Sequence, residues 1–155
     1  MSMIGLFGIC PKSKYDTLAR LVQNGTPAEA EDLIKDICHE LENSAEKLEN
    51  GVCSGEIYLA LFQYFETELG VDVRNGTERF GEIWREATGD FDVIVFHEAA
   101  PLLSLADTVD YDGLSQFAGD FFQIDCGDAA QAACDALLNN LRSLGADEIL
   151  IWHLF

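Results

Sequence analysis

Val93-Ile94-Val95-Phe96 is an uninterrupted apolar run inside a stretch, Glu86 to Leu141, that contains no lysine and no arginine. The same stretch carries Glu86, Asp90, Asp92, Glu98, Asp107, Asp110, Asp112, Asp120, Asp125, Asp128 and Asp135. A short run of β-branched and aromatic residues without polar interruption reads as a strand covered on both faces. The acids then belong to its ends and to the surface. We therefore expect Val93 to Phe96 to be the central strand of a sheet, with carboxylates arranged around a rigid apolar core.

Composition narrows what such a core belongs to. The 155 residues, 48% hydrophobic with ten phenylalanines, suffice for one apolar core and are too few to favour two. One acidic globular domain over residues 1–155 is expected. The formal net charge is −19, from 28 acids against 9 lysines and arginines. Phosphate backbones and anionic membranes are bound through lysine and arginine, so the charge argues against nucleic acid and membranes as partners. A basic protein, or a cation, is the natural complement. High net charge also accompanies disorder, but apolar content of this size offsets the entropy of ordering the chain.

The five cysteines, Cys10, Cys38, Cys53, Cys126 and Cys134, are odd in number and include no Cys-x-x-Cys pair. Small buried thiols in a reducing cytosol fit this better than a disulfide framework. The apolar opening, Met1 to Ile9, lacks the basic residues of a signal peptide, and its hydrophobic run stops at Pro11. No segment approaches the ~20 apolar residues of a membrane span. The expected location is the cytoplasm.

In chain order, Met3 to Ile9 reads as a first strand and Pro11 to about Gln23 as a helix with Tyr15, Leu18, Leu21 and Val22 on its apolar side. Thr26-Pro27-Ala28-Glu29 is a capping-box signature. The helix it starts places Leu33, Ile34, Ile37, Cys38, Leu41, Ala45 and Leu48 on one stripe up to Asn50-Gly51, and its other face is mostly acidic. From Ser54 to Leu69 a helix too apolar for the surface forms the floor of the core, with Gly70 as its stop. Val71 to Val73 is an extended link before an Asn75-Gly76 turn. Thr77 is placed to cap a helix carrying Phe80, Ile83 and Trp84 up to Gly89. Arg74, Arg79 and Arg85 form the one basic cluster, and pairing with nearby acids is its expected use. Beyond the Val93 strand, Asp110 or Asp112 starts a helix with Leu114, Phe117 and Phe121, and Asp125 to Asp128 turns into another that stops at Gly145. Glu148 to Phe155 is a last strand. Several helices around a small sheet of about three strands make the fold α+β or α/β.

Motifs for chemistry are few. His97-Glu98 follows the Val93 strand, where ligand sites of open α/β sheets lie, and the two could serve as an acid–base pair. Adjacent residues on a strand point to opposite faces, so they share a site only if the strand has ended. Asp110-Tyr111-Asp112-Gly113 invites comparison with a calcium loop, but with Gly113 as the sixth residue an EF-hand needs an acid at Thr108 and a glutamate at Gly119. His39, His97 and His153 have no zinc-ligand spacing, and phosphate loops and a Gly-x-Ser-x-Gly elbow are absent. No metal, cofactor or catalytic residue is assigned.

The opening Met1-Ser2-Met3-Ile4, followed by a short strand and a helix, resembles the Met-Gly-Met-Ile start of the small bacterial YfbM-like family. The terminal Ile149-Leu150-Ile151-Trp152 run is similar in kind to how some of its members finish. The resemblance covers about the first 25 residues and the last handful. It implies a cytosolic α+β domain of no established activity, and no functional residue is carried over by it.

What remains is the acidic surface, for which solubility alone is one reading. The other is a contact surface, because aromatic residues, Tyr111, Phe117 and Phe121-Phe122, lie among the acids. An exposed ring amid carboxylates anchors and steers a basic partner. Asp107, Asp110, Tyr111, Asp112, Asp120, Asp125 and Asp128 are the expected contacts, with the acidic face of the Thr26 helix as second choice. The leading expectation is a bacterial interaction protein that neutralises a basic toxin or enzyme, as immunity proteins do. A small hydrolase or transferase using His97 and Glu98, and a nucleic-acid mimic that blocks a nucleic-acid-binding protein, are the alternatives.

Overall fold

The computed structural model describes residues 3–24, 27–49, 55–74, 76–122 and 127–155. The Thr26 cap, the Asn50-Gly51 stop, the Ser54 start, Asn75 of the expected turn, Cys53, Cys126 and the candidate contact Asp125 lie outside the described residues. Three strands, β1 (Gly5–Pro11), β2 (Asp92–Phe96) and β3 (Glu148–Leu154), form one antiparallel sheet in the order β1-β3-β2. Around it lie α1 (Lys12–Asn24), α2 (Pro27–Ser44), α3 (Gly55–Glu68), α4 (Glu78–Thr88), the short α5 (Ala100–Leu103), α6 (Tyr111–Phe122) and α7 (Gly127–Arg142). The fold is α+β.

The Val93 run is a strand, as its composition dictates, but it lies at the edge of the sheet. The centre belongs to β3, which pairs with β1 along Gly5↔Leu154 to Pro11↔Glu148 and with β2 along Asp92↔Leu154 to Phe96↔Leu150. Apolarity records burial of the two faces, and both β2 and β3 are buried on both. Centrality is decided by hydrogen bonding at the two edges, to which side-chain hydropathy is blind.

The alternation along β3 divides the interior into two cores. Ile149 and Ile151 face α1, α2 and α4, joining Cys10, Val93, Val95, Leu18, Ile34, Ile37 and Trp84. Leu150, Trp152 and Leu154 face α3, α6 and α7, joining Phe7, Ile94, Phe96, Tyr58, Phe62, Leu114 and Leu137. Each helix lies on the side its apolar stripe requires. Even α3, apolar on most of its circumference, is clamped between the sheet and the α6–α7 pair. Gly8 lets α2 approach β1 closely, since a Cβ there would lie 2.6 Å from Leu41 Cβ.

Each outer strand is met by a side chain from another segment. On β1, Ile9 N–H donates to Ser44 Oγ at 2.7 Å, and the hydroxyl sits 3.2 Å from the Ile9 carbonyl in turn. Helix α2 therefore ends at Ser44 and gives way to a 3-10 turn over 45–47, short of the expected stop at Asn50-Gly51. At β2 the guanidinium of Arg74 donates two bonds to the Asp92 carboxylate at 3.0 and 2.5 Å, and residues 70–73 line a cleft with Val95 and Phe96. Arg85 lies 3.5 Å from the same carboxylate and Arg79 pairs with Glu82 at 3.1 Å, so the basic cluster is spent on neighbouring acids as expected. Thr77 does not cap α4 through its side chain; its hydroxyl donates to the Arg74 carbonyl at 2.6 Å and so braces the backbone at Arg74. At the other end Gly89, with φ 77°, closes α4 in the left-handed conformation that suits glycine.

The Arg74–Asp92 fork is partly buried and geometrically tight, whereas Arg79–Glu82 is exposed. Arg74→Met is expected to cost about 1–2 kcal/mol and Arg79→Ala less than about 0.5 kcal/mol. Urea unfolding of both variants measures the difference; equal midpoints would show that the fork does not hold the β2 edge.

Candidate functional site

Basic residues are sorted by the sheet. Residues 48–73 contain no lysine or arginine, like the longer stretch from Glu86 to Leu141. The fold packs α3, from the first stretch, against α6 and α7, from the second. Among the described residues of these helices Arg142, at the end of α7, is the one cation. Glu66 and Glu68 on α3, Asp107 and Asp110 before α6, Asp112 and Asp120 on α6, and Asp128 and Asp135 on α7 are all exposed. None of these eight carboxylates joins an ion pair among the described residues, where every ion pair involves the opposite layer or the strands.

Within this layer the expected contacts take different parts. Asp110 and Asp120 line a shallow cleft of about 380 Å³ with Glu68, Tyr64, Gln116 and Phe117. Asp110 is also the residue that starts α6: its carbonyl accepts the Leu114 N–H at 2.8 Å, and Tyr64 Oη donates to that carbonyl at 3.5 Å. Its carboxylate folds over the first turn, where a Cβ on Gly113 would lie 2.8 Å from Oδ2. The Asp110-to-Gly113 segment is thus a helix start and has no loop in which to wrap calcium. Asp112 projects from the first turn, Asp107 from the 3-10 turn before it, and Asp128 from the first turn of α7.

Tyr111 has an internal role. Its hydroxyl donates to Asp135 Oδ1 at 2.6 Å, tying the start of α6 to α7, and that bond, with burial second, pushes the phenol well above its usual range. Gln131 reinforces the tie by donating to Ser115 Oγ at 2.8 Å. The accessible ring is Phe121, half-exposed at 50% and stacked on Phe117 at 6.3 Å between centroids. Phe117 in turn meets Tyr64 edge-on at 5.7 Å. The second-choice surface is neutralised in part: Lys14 bonds Asp36 and Glu40 at 2.9 and 2.7 Å and Lys35 lies 3.4 Å from Glu31, while Glu29, Asp32 and Glu42 are exposed and join no ion pair among the described residues.

The acid–base candidates are less well placed. Strand β2 ends at Phe96, so His97 and Glu98 do line one cleft of about 320 Å³ beside 70–73. His97 stacks its ring on Tyr15 of α1, 5.9 Å between centroids, while Glu98 is exposed. The sheet is antiparallel, so the rule for strand ends in parallel sheets does not reach this site. Among the described residues no group of three His, Cys, Asp or Glu is placed to hold a metal. Cys10, Cys38 and Cys134 are free thiols, pushed up to about 12, 11 and 12 chiefly by burial, which makes them poor nucleophiles.

One polar pair was not legible in the sequence. Asp90, after α4, and His153, on β3, meet across 63 residues, with His153 Nδ1 3.5 Å from Asp90 Oδ2. Trp84 Nε1 donates to the same oxygen at 2.9 Å, and the Asp90 N–H donates to Thr88 Oγ1 at 3.1 Å. Burial acts to raise the Asp90 carboxyl, but the bonds from His153 and Trp84 and the charge of His153 outweigh it and hold the group below its ordinary value. The pair lines a cleft of about 460 Å³ with Leu6, Lys35, Cys38, Leu41, Glu42 and Phe155. The Asp90-Phe91-Asp92 acids at the start of β2 were the only available signal, and they read as solubilising.

No family model matches the chain, and neither a curated protein nor a solved structure matches it significantly. Residue roles therefore rest on this chain's own geometry. Among the described residues no helix is long and apolar enough to cross a membrane.

Because the folded Asp90 carboxyl lies below its ordinary value, its stabilising contribution is complete above the unfolded value of about 3.9 and is lost as pH falls through the folded one. Asp90→Asn is expected to cost about 1–3 kcal/mol at neutral pH, with the gap to the parent chain narrowing below about pH 4. Denaturant unfolding across pH measures this, and a gap of constant size would exclude the carboxylate charge as its cause.

Proposed function

We propose that this chain is an interaction protein that binds and neutralises a basic protein, a toxin or an enzyme, through the layer formed by α3, α6 and α7. The observation that carries the reading is the packing of two base-free segments into one layer with exposed carboxylates lacking ion-pair partners there. Solubility requires acids somewhere on the surface; it does not require a layer whose exposed acids have almost no bases among them while six of the nine lysines and arginines lie on the helices across the sheet. The accessible Phe121 ring, backed by Phe117 and Tyr64, supplies an apolar anchor amid this field. Such a protein needs rigidity and charge complementarity, and no catalytic apparatus.

The same field suits a nucleic-acid mimic, and the identity of the partner separates the two. Tagged protein is incubated with host lysate and washed at low and at high salt, and retained proteins are identified by mass spectrometry. A stoichiometric basic partner retained at low salt is the expected result. Its association with the Asp112→Lys, Asp120→Lys double variant is then expected to be slower by about ten-fold at low salt, with the dissociation rate nearly unchanged. An unchanged association rate would remove this surface from consideration.

A further inference from the structure

On the face covered by α1, α2 and α4 the sheet extends past its helices. Ile4, Phe155 and Phe91 lie in one row across the three strands: Ile4 and Phe155 exchange backbone bonds at 2.8 and 2.9 Å, and Phe91 N–H donates to the Leu154 carbonyl at 2.8 Å. They are 51%, 43% and 54% exposed, and together they are three of the four large apolar side chains left exposed among the described residues. Behind this row opens the 460 Å³ cleft, floored by Leu6 and His153 and walled by Leu41 and Ala45 on one side and Ala87 on the other. Its size suits a small ligand, and its lining is apolar with a few converging polar groups, as ligand sites require.

The polar groups decide the ligand's charge. Asp90 is already bonded by Trp84 and faced by His153 Nδ1. Glu42 is exposed and joins no ion pair among the described residues, whereas Lys35, the cation of the lining, is paired with Glu31. The cleft thus offers the Glu42 carboxylate where its one lysine is engaged. Phe155, tilted over His153 at 5.2 Å, adds an aromatic face that attracts cations. The net charge of −19 draws cations and repels anions.

From this geometry we propose that the cleft between α2, α4 and the overhanging end of the sheet binds a small apolar amine, with its body on Leu6, Leu41 and Phe155 and its ammonium at Glu42. The site lies across the sheet from the acidic layer and is independent of it.

Three indoles of equal shape and different charge test the assignment by calorimetry on the full chain: tryptamine, uncharged 3-methylindole and indole-3-acetate. Tryptamine is expected to bind with a dissociation constant on the order of 1 mM or below, about ten-fold tighter than either of the others. Glu42→Gln should weaken tryptamine about five-fold or more and leave 3-methylindole unchanged. Ala45→Trp, and independently Ala87→Phe from the opposite wall, should fill the cleft and abolish binding, with circular dichroism reporting that each variant is folded. Indole-3-acetate binding as tightly as tryptamine, tryptamine binding that survives both filling variants, or no binding of tryptamine at 10-fold its expected dissociation constant would each overturn the proposal.

Discussion

Everything in this molecule is hung on β3. It is hydrogen-bonded on both edges and buried on both faces, so it is at once the seam between the outer strands and the partition between two cores. Ile149 and Ile151 belong to one core and Leu150, Trp152 and Leu154 to the other. A three-stranded sheet with such a centre leaves two edges to be managed, and the chain manages each with a side chain taken from a neighbouring segment. Ser44 bonds Ile9 of β1, and Arg74 bonds Asp92 of β2. Pro11, with no N–H to donate, sits at the end of an edge strand, where its loss of a donor is tolerated.

The partition is also electrostatic. On the α1, α2 and α4 side bases are interleaved with the acids, and four of the six form ion pairs. On the α3, α6 and α7 side the exposed carboxylates face water with Arg142 as the one base of the described helices. Concentrating like charge on one layer costs stability through self-repulsion, which salt relieves. Internal ties offset it: Tyr111 to Asp135, Gln131 to Ser115, and Asn140, which accepts from Glu49 N–H at 2.8 Å and donates to the Glu49 carbonyl. Two of these ties use polar side chains to fasten α6 to α7, beside the apolar packing of the two helices in the same core.

The order in which these features could be read from sequence follows their physical range. Helices and strands were legible because a period in hydropathy is local: the stripe Ala130, Ala133, Leu137, Leu141 marks α7 as plainly as the run Ile149 to Trp152 marks β3. Which strand is central was not, since Val93 to Phe96 and Ile149 to Trp152 carry the same apolar signal. Acid-rich segments were visible one at a time, but their gathering into one layer depends on α3 docking against helices some fifty residues away in sequence. The Asp90–His153 pair joins two residues with no motif around either, and only the pairing of β2 with β3 brings them together. Tyr111 looked like an anchor because it is aromatic among acids; its bond to Asp135 is a contact of tertiary structure that no spacing announces.

The placement of β3 sets a rule for how the molecule comes into being. A nascent chain has made β1 and β2 long before residues 148–154 emerge, and neither of those strands pairs with the other. Until then two apolar strands wait with all their ladder groups unmet, and both helical layers lack the wall they pack on. The sheet cannot be assembled before residues 148–154 are made, because each outer strand pairs with β3 alone. Long-range pairing of this kind is slow and leaves strand edges open to wrong partners meanwhile. The acids that crowd the intervening helices set like charge between copies of the chain whose strand edges are still open.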